Sequence, residues 1–327
     1  MTTSTTDRIR VRAYFHFENR TGRNWTDPVS NWLQAEQEER SNQFFEELGR
    51  RVDFIRSIYQ RYRIALKPGE GFALALDEAE ALAKGIKSRP FSVERLSQTV
   101  HDAHVIYALG DSLSLCVDAG LDLRNHLANL TTGTTEYGKP STDVKRIFFK
   151  DFEFETFIAS VLIKNRSIPA FTAPGDPTGE LIFGDMFIEC KHPNSVGQLA
   201  KLLGKFNNGL AALDRFGIFA VALEDVMEMG DVAQFDSQHD YDVWLEAKRA
   251  GMEAIGQELI ERAARLPRIA ALIQTETKDP IIGTGTTLRR LGNSLLFDHR
   301  PTFINYETTA RAIASCFNPN PVLYSEI

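Results

Sequence analysis

Between residues 27 and 63 the apolar positions recur at three-and-four spacing. Phe44, Phe45, Leu48, Val52, Ile55, Ile58, Tyr59 and Tyr62 form one stripe, and Glu36, Glu38, Glu39, Arg50 and Arg51 fall outside it. That period predicts an amphipathic helix with one face on a core. Asp27-Pro28 supplies a cap and first-turn pair, and Lys67-Pro68-Gly69 supplies the stop. Two further helical stretches are predicted, over about 72–86 and about 92–118, the second opened by Pro90 and Ser92 with Glu94 close behind. The first 130 residues thus read as a helical module.

Residues 131–143, TTGTTEYGKPSTD, carry small polar residues, glycine and proline with no apolar period, so they predict a connection. Beyond it helices at about 150–165, 195–213 and 240–265 alternate with short apolar runs at 180–191, 216–223 and 268–274. Such alternation predicts an α/β unit with a sheet flanked by helices. The domain expectation is therefore an α-helical module over 1–143 and an α/β domain over 144–327.

Composition narrows the class. Hydrophobic residues make up 43% and charged residues 25%, which excludes disordered and fibrous chains. Three cysteines, Cys116, Cys190 and Cys316, contain no CxxC pair, so a disulfide framework is not expected and a reducing, cytoplasmic setting is. No apolar run reaches the ~18 residues of a membrane span, so no membrane association is expected. With 37 basic and 44 acidic residues the net charge is −7, so any polyanion has to be met by a local patch.

The chemistry concentrates in GELIFGDMFIECKHP, residues 179–193. Gly184-Asp185 separates two apolar runs and predicts a hairpin turn. Alternation along the second strand sends Glu189 and Lys191 to one face and Ile188 and Cys190 to the other. Folding the hairpin returns Glu180 to the neighbourhood of Glu189, so two carboxylates and an ammonium share one sheet edge. Hard cations such as Mg²⁺ take carboxylate pairs together with water and phosphate oxygens. A lysine beside them can orient a water and offset charge developing on a phosphate. This is a kit for metal-assisted phosphodiester hydrolysis.

On these residues the chain resembles the PD-(D/E)xK nuclease superfamily, whose fold is called restriction-endonuclease-like. Glu189-Cys190-Lys191 matches the ExK element, and Glu180, nine positions earlier, stands where the family usually has the Asp of Pro-Asp. The order of helix FEFETFIASVLIKN, hairpin, helix SVGQLAKLLGKFNNGLAAL and strand FGIFAVAL follows the family over roughly residues 147–224. The chain departs from the pattern in having no Pro-Asp, and Asp176 rivals Glu180 as the second ligand; Asp185 is a weaker rival because it sits in the turn. The resemblance implies a restriction-endonuclease-like mixed sheet and a Mg²⁺- or Mn²⁺-dependent nuclease. Its catalytic residues would be Lys191, Glu189, Glu180 and, as a further acid from the preceding helix, Glu155. Glu180 and Glu189 would be the metal ligands. Gln198, Lys201 and Lys205 are the substrate-binding candidates, and nucleic acid, DNA ahead of RNA, is the expected partner, with homodimerisation left open.

Plainer accounts stand beside each of these. Glu189 and Lys191 also suit a solvated strand face carrying a weak surface ion pair. Glu155 suits an acid favoured by a helix dipole. A domain of the same fold that binds nucleic acid or protein without catalysis is the alternative function.

Overall fold

The computed structural model of the 327-residue chain describes residues 28–66, 71–84, 93–133, 135, 148–173, 176, 179–193, 195–226, 238–278, 289–297, 303–318 and 321–324. The predicted apolar stripe lies on α1 (Pro28–Tyr62). Leu48, Val52, Ile55, Ile58 and Tyr59 are buried, and Phe44 and Tyr62 pack on the same cluster from its margin. Against α1 lie α2 (Gly71–Ala83) and α3 (Val93–Asp118), close to their expected bounds, and α3 also packs on α5 (Phe148–Lys164). A short helix, α4 (Arg124–Leu130), packs on α5 and is tied to α1 by the Tyr59 hydroxyl, which donates to the Leu127 carbonyl at 2.8 Å.

The remaining elements build one seven-stranded mixed sheet whose spatial order is the sequence order. The strands are β1 (Ala170–Phe171), β2 (Leu181–Phe183), β3 (Met186–Lys191), β4 (Phe216–Ala222), β5 (Ile269–Lys278), β6 (Arg289–Phe297) and β7 (Val322–Tyr324). β1, β2 and β3 run antiparallel, β3, β4 and β5 parallel, β5 and β6 antiparallel, and β6 and β7 parallel. The helices α6 (Val196–Ala212), α7 (Gln238–Ala264) and α8 (Phe303–Ser315) are the remaining described helices, so the α/β class with helices flanking a mixed sheet holds.

Alternation along β4 explains the two layers. Ile218, Ala220 and Ala222 join the cluster formed with α5 and α8, whereas Phe219, Val221 and the following Leu223 join the one formed with α6 and α7. A strand buried on both faces needs a near-continuous apolar run, and FGIFAVA supplies it. The first cluster continues without a break from Leu48 of α1 through α3 and α5 to Ile188 and Ile218, so the helical segment and the sheet share a core. Of the expected connection 131–143, residues 131–133 and 135 are described, and the rest lies outside the described residues. Among the described residues no helix is long and apolar enough to cross a membrane.

Candidate functional site

The site is built where the β2–β3 ladder stops. Phe183 pairs with Met186 across Gly184-Asp185, where Gly184 takes φ +62°, and the last pair is Leu181 with Ile188. Beyond that pair Glu189, Cys190 and Lys191 are bonded to β4 on one side, with no strand among the described residues on the other. Glu180 fills the gap: its backbone N–H donates to the Ile188 carbonyl at 3.0 Å, and its carboxylate accepts the Cys190 N–H at 2.7 Å. A side-chain oxygen thus replaces a missing strand partner, which satisfies a backbone donor and fixes the direction of the carboxylate. Gly179 permits the approach. At φ +114° it lies so near β3 that an added Cβ would stand 2.7 Å from the Ile188 carbonyl oxygen.

The Lys191 ammonium bonds to Glu180 and lies 2.9 Å from a Glu189 oxygen. The two carboxylates therefore converge on one cation. Glu189 is only 8% exposed, which removes the account of a solvated strand face. Glu155 comes from α5 and is buried at 5% exposure. It does not lie in the first turn, which begins at Phe148 and holds Asp151 instead, so the helix-dipole account passes to Asp151. Its partner is His126 of α4, whose Nε2 lies 2.7 Å from the carboxylate. Phe171 packs against the imidazole face at a centroid distance of 3.8 Å, and Phe152 meets it edge-on at 5.2 Å.

All four predicted catalytic residues line a single cavity of about 520 Å³. The cavity also takes Asp176, Lys205, His126, Asn125 and Asn129 into its wall. Lys201 and Gln198 are exposed on α6 and do not line it. Asp185 sits exposed in the hairpin turn, away from the lining. Sequence reasoning missed His126, Asn125 and Asn129 because they lie in a short helix of the N-terminal segment, with no motif and a distance in sequence from the hairpin. One signal was available: an i, i+4 pair of asparagines around a histidine on a helix that needs apolar residues to pack.

Acid excess dominates the electrostatics. Burial, reinforced by the Glu180 charge and opposed by Lys191, pushes Glu189 up to about 7. Burial and the same Glu180 charge hold Glu155 well above the carboxylate range. Asp151, one turn earlier on α5, is pushed up to about 7 chiefly by burial. Burial works against charge on Lys191, but Glu180 and Glu189 outweigh it and keep the ammonium firmly protonated. Burial pushes the His126 imidazole down to about 4, so it is neutral near pH 7. A neutral imidazole 2.7 Å from a carboxyl shares one proton with it, on Nε2 or on the Glu155 oxygen. Its Nδ1 is buried and has no hydrogen-bond partner among the described residues.

Carboxyls crowded together and holding protons near neutrality form an environment that a divalent cation would relieve, and an all-oxygen donor set suits a hard cation. Among the described residues no group of three or more His, Cys, Asp or Glu side chains is placed to hold a metal ion. What the site offers is the pair Glu180 and Glu189, already converging on a cation, with cavity space for water and substrate oxygens. No protein-family model, no curated protein and no solved structure matches the chain.

Proposed function

We propose that the chain is a Mg²⁺- or Mn²⁺-dependent nuclease with a restriction-endonuclease-like core, hydrolysing nucleic-acid phosphodiester bonds at the Glu155, Glu180, Glu189 and Lys191 cavity. The observation that carries this reading is the convergence of these four residues, drawn from α5, the β2 edge and β3, on one cavity of about 520 Å³. The order α5, β1–β2–β3 hairpins, α6 and parallel β4 supports the family resemblance over the same stretch. A bound Mg²⁺ or Mn²⁺ would be held by Glu180 and Glu189 and would supply Lewis-acid stabilisation of phosphate charge. Lys191, freed from one of its carboxylates, would orient the attacking water and face charge developing on the phosphate. Glu155, held by His126, would accept a proton or fix a water at the cavity wall.

The alternative is a catalytically silent nucleic-acid-binding domain of the same fold. One observation favours it: the Lys191 ammonium bridges Glu180 and Glu189, so the carboxylates already have a cation.

The test is a cleavage assay on linear duplex DNA, single-stranded DNA and RNA with Mn²⁺ or Mg²⁺, run beside a binding titration. Metal-dependent cleavage that EDTA abolishes is the expected result. Cleavage undiminished in excess EDTA would rule out the mechanism, and binding without cleavage on all three substrates would favour the silent domain.

A further inference from the structure

A second cleft, of about 400 Å³, is lined by Arg61, Tyr62, Arg63 and Arg124. The three arginines are exposed, and among the described residues none has an ion-pair partner. Arg51, Arg56, Arg262, Arg268 and Arg311 are matched with acids, whereas these three share one concavity without an acid among the described residues. Three guanidiniums around one concavity repel one another in the absence of an anion, and guanidinium is the side chain best shaped for phosphate oxygens.

The local backbone makes the placement costlier still. Arg63 follows the last turn of α1, where its N–H bonds to the Gln60 carbonyl and the Ile64 N–H bonds to the Tyr59 carbonyl, each at 3.0 Å. This is the glycine-favouring position of a helix-terminating motif, and Arg63 occupies it at φ +57°. A glycine would relax the backbone, yet the residue is an arginine lining the cleft.

The cleft lies next to the candidate active site. Arg124 lines the arginine cleft, and Asn125, the next residue of α4, lines the carboxylate cavity. Adjacent Cα atoms are only about 3.8 Å apart. The two concavities thus meet at neighbouring residues of α4, close enough for one strand to reach both.

We propose that Arg61, Arg63 and Arg124 form a phosphate-backbone site that holds the flanking stretch of a nucleic-acid strand entering the carboxylate cavity. Its position beside the reacting strand rests on the nuclease reading, whereas its affinity for a nucleic-acid backbone does not.

The test uses the full chain with a labelled single-stranded DNA oligonucleotide, titrated in EDTA so that no cleavage intervenes, over a series of salt concentrations. Replacing all three arginines by glutamine is expected to weaken binding at least ~10-fold. It should also lower the salt slope by about two, since each contact to a single strand contributes ~0.7. The melting temperature should stay near wild type. Arg63→Gly is the control variant: it should melt no lower than wild type and still lose part of the affinity, an outcome that a structural role for Arg63 would not give. Unchanged affinity and slope in the triple variant overturn the proposal, even if the wild type cleaves and the nuclease reading stands. Weakened binding with no cleavage by any form supports the backbone site and sinks the nuclease reading. Absence of nucleic-acid binding by the wild type overturns both.

Discussion

Two buried charge clusters stand on neighbouring residues and behave in opposite ways. The first surrounds Lys191 in the cavity. The second, beginning at the next residue, joins His192, Glu224, Asp225 and Lys150, all 3% exposed or less. In it the Lys150 ammonium lies 2.6 Å from Asp225, while His192 Nε2 stands 3.6 Å from Asp225 and 3.9 Å from Glu224. Burial alone would raise Asp225, but His192 and Lys150 more than offset it and hold the carboxyl below its ordinary value. Around Lys191 the balance tips the other way, and Glu155 and Glu189 are raised. The sealed cluster pairs Asp225 with the Lys150 ammonium and clamps α5 to the ends of β3 and β4. The open one has more acid than base and a cavity from which to draw water, protons or a metal. Burial of charge is therefore not the mark of the candidate site; uncompensated acid facing a cavity is.

The largest effect should come from breaking the sealed cluster. Lys150→Met leaves Asp225 buried without its ammonium, a change of the kind that costs about 3–5 kcal/mol. Denaturant unfolding should report it directly, and Lys150→Met with Asp225→Leu should recover most of the loss because both charges then leave together. A loss below ~1 kcal/mol in the single variant would mean that water reaches the cluster and that the contrast between the two sites is false.

The matching change in the open site should spare the fold and strike function. Lys191→Met leaves carboxyls that can take up protons through the cavity, so the unfolding midpoint should move little. Turnover should fall at least ~10²-fold with affinity largely kept, since the ammonium acts on charge that develops in the transition state. Loss of affinity with no turnover in the wild type would instead assign Lys191 a binding role.

What the sequence made legible follows how local each signal is. The hairpin turn, the Glu189/Lys191 alternation and the continuous apolar run of β4 are signals held within a few residues, and they appear where expected. The long helices were legible for the same reason. β1 has two residues and β7 three, too few for any period. β6, RRLGNSLLF, opens on charges and carries Gly292 and Asn293, which weaken a strand pattern that its pairing to β5 sustains. α8, FINYETTARAIAS, holds two adjacent threonines, which lower helix propensity, and is held by packing on β5 and β6. In the site the carboxylates and Lys191 were readable as a spacing. The partnership of His126 with Glu155 was not, because it joins residues 29 apart through tertiary packing.

The smallest effect separates the open site from an ordinary acid cluster by its pH dependence. Glu189 rises from an ordinary 4.5 to about 7 on folding, so the folded chain binds the extra proton. Its contribution to stability is then fully present below pH 4.5 and is lost as pH rises through about 7. Asp151 adds a loss of the same sign, while His126, which falls from 6.5 to about 4, acts oppositely and costs stability as pH drops from 6.5. The total curve mixes these opposing contributions, so the informative quantity is the stability of the wild type minus that of Glu189→Gln, measured by denaturant unfolding at each pH. That difference should decline between pH 4.5 and 7 by on the order of 1–3 kcal/mol, because each tenfold gain in proton affinity on folding is worth roughly 1.4 kcal/mol. Mn²⁺ should flatten the decline, because a cation bound by Glu180 and Glu189 favours the ionised carboxylate and takes over from the proton. A difference curve already flat without metal would place Glu189 in an ordinary solvated environment and erase the contrast with the sealed cluster. A decline that Mn²⁺ leaves untouched would keep the acid excess but take the metal away from these two carboxylates.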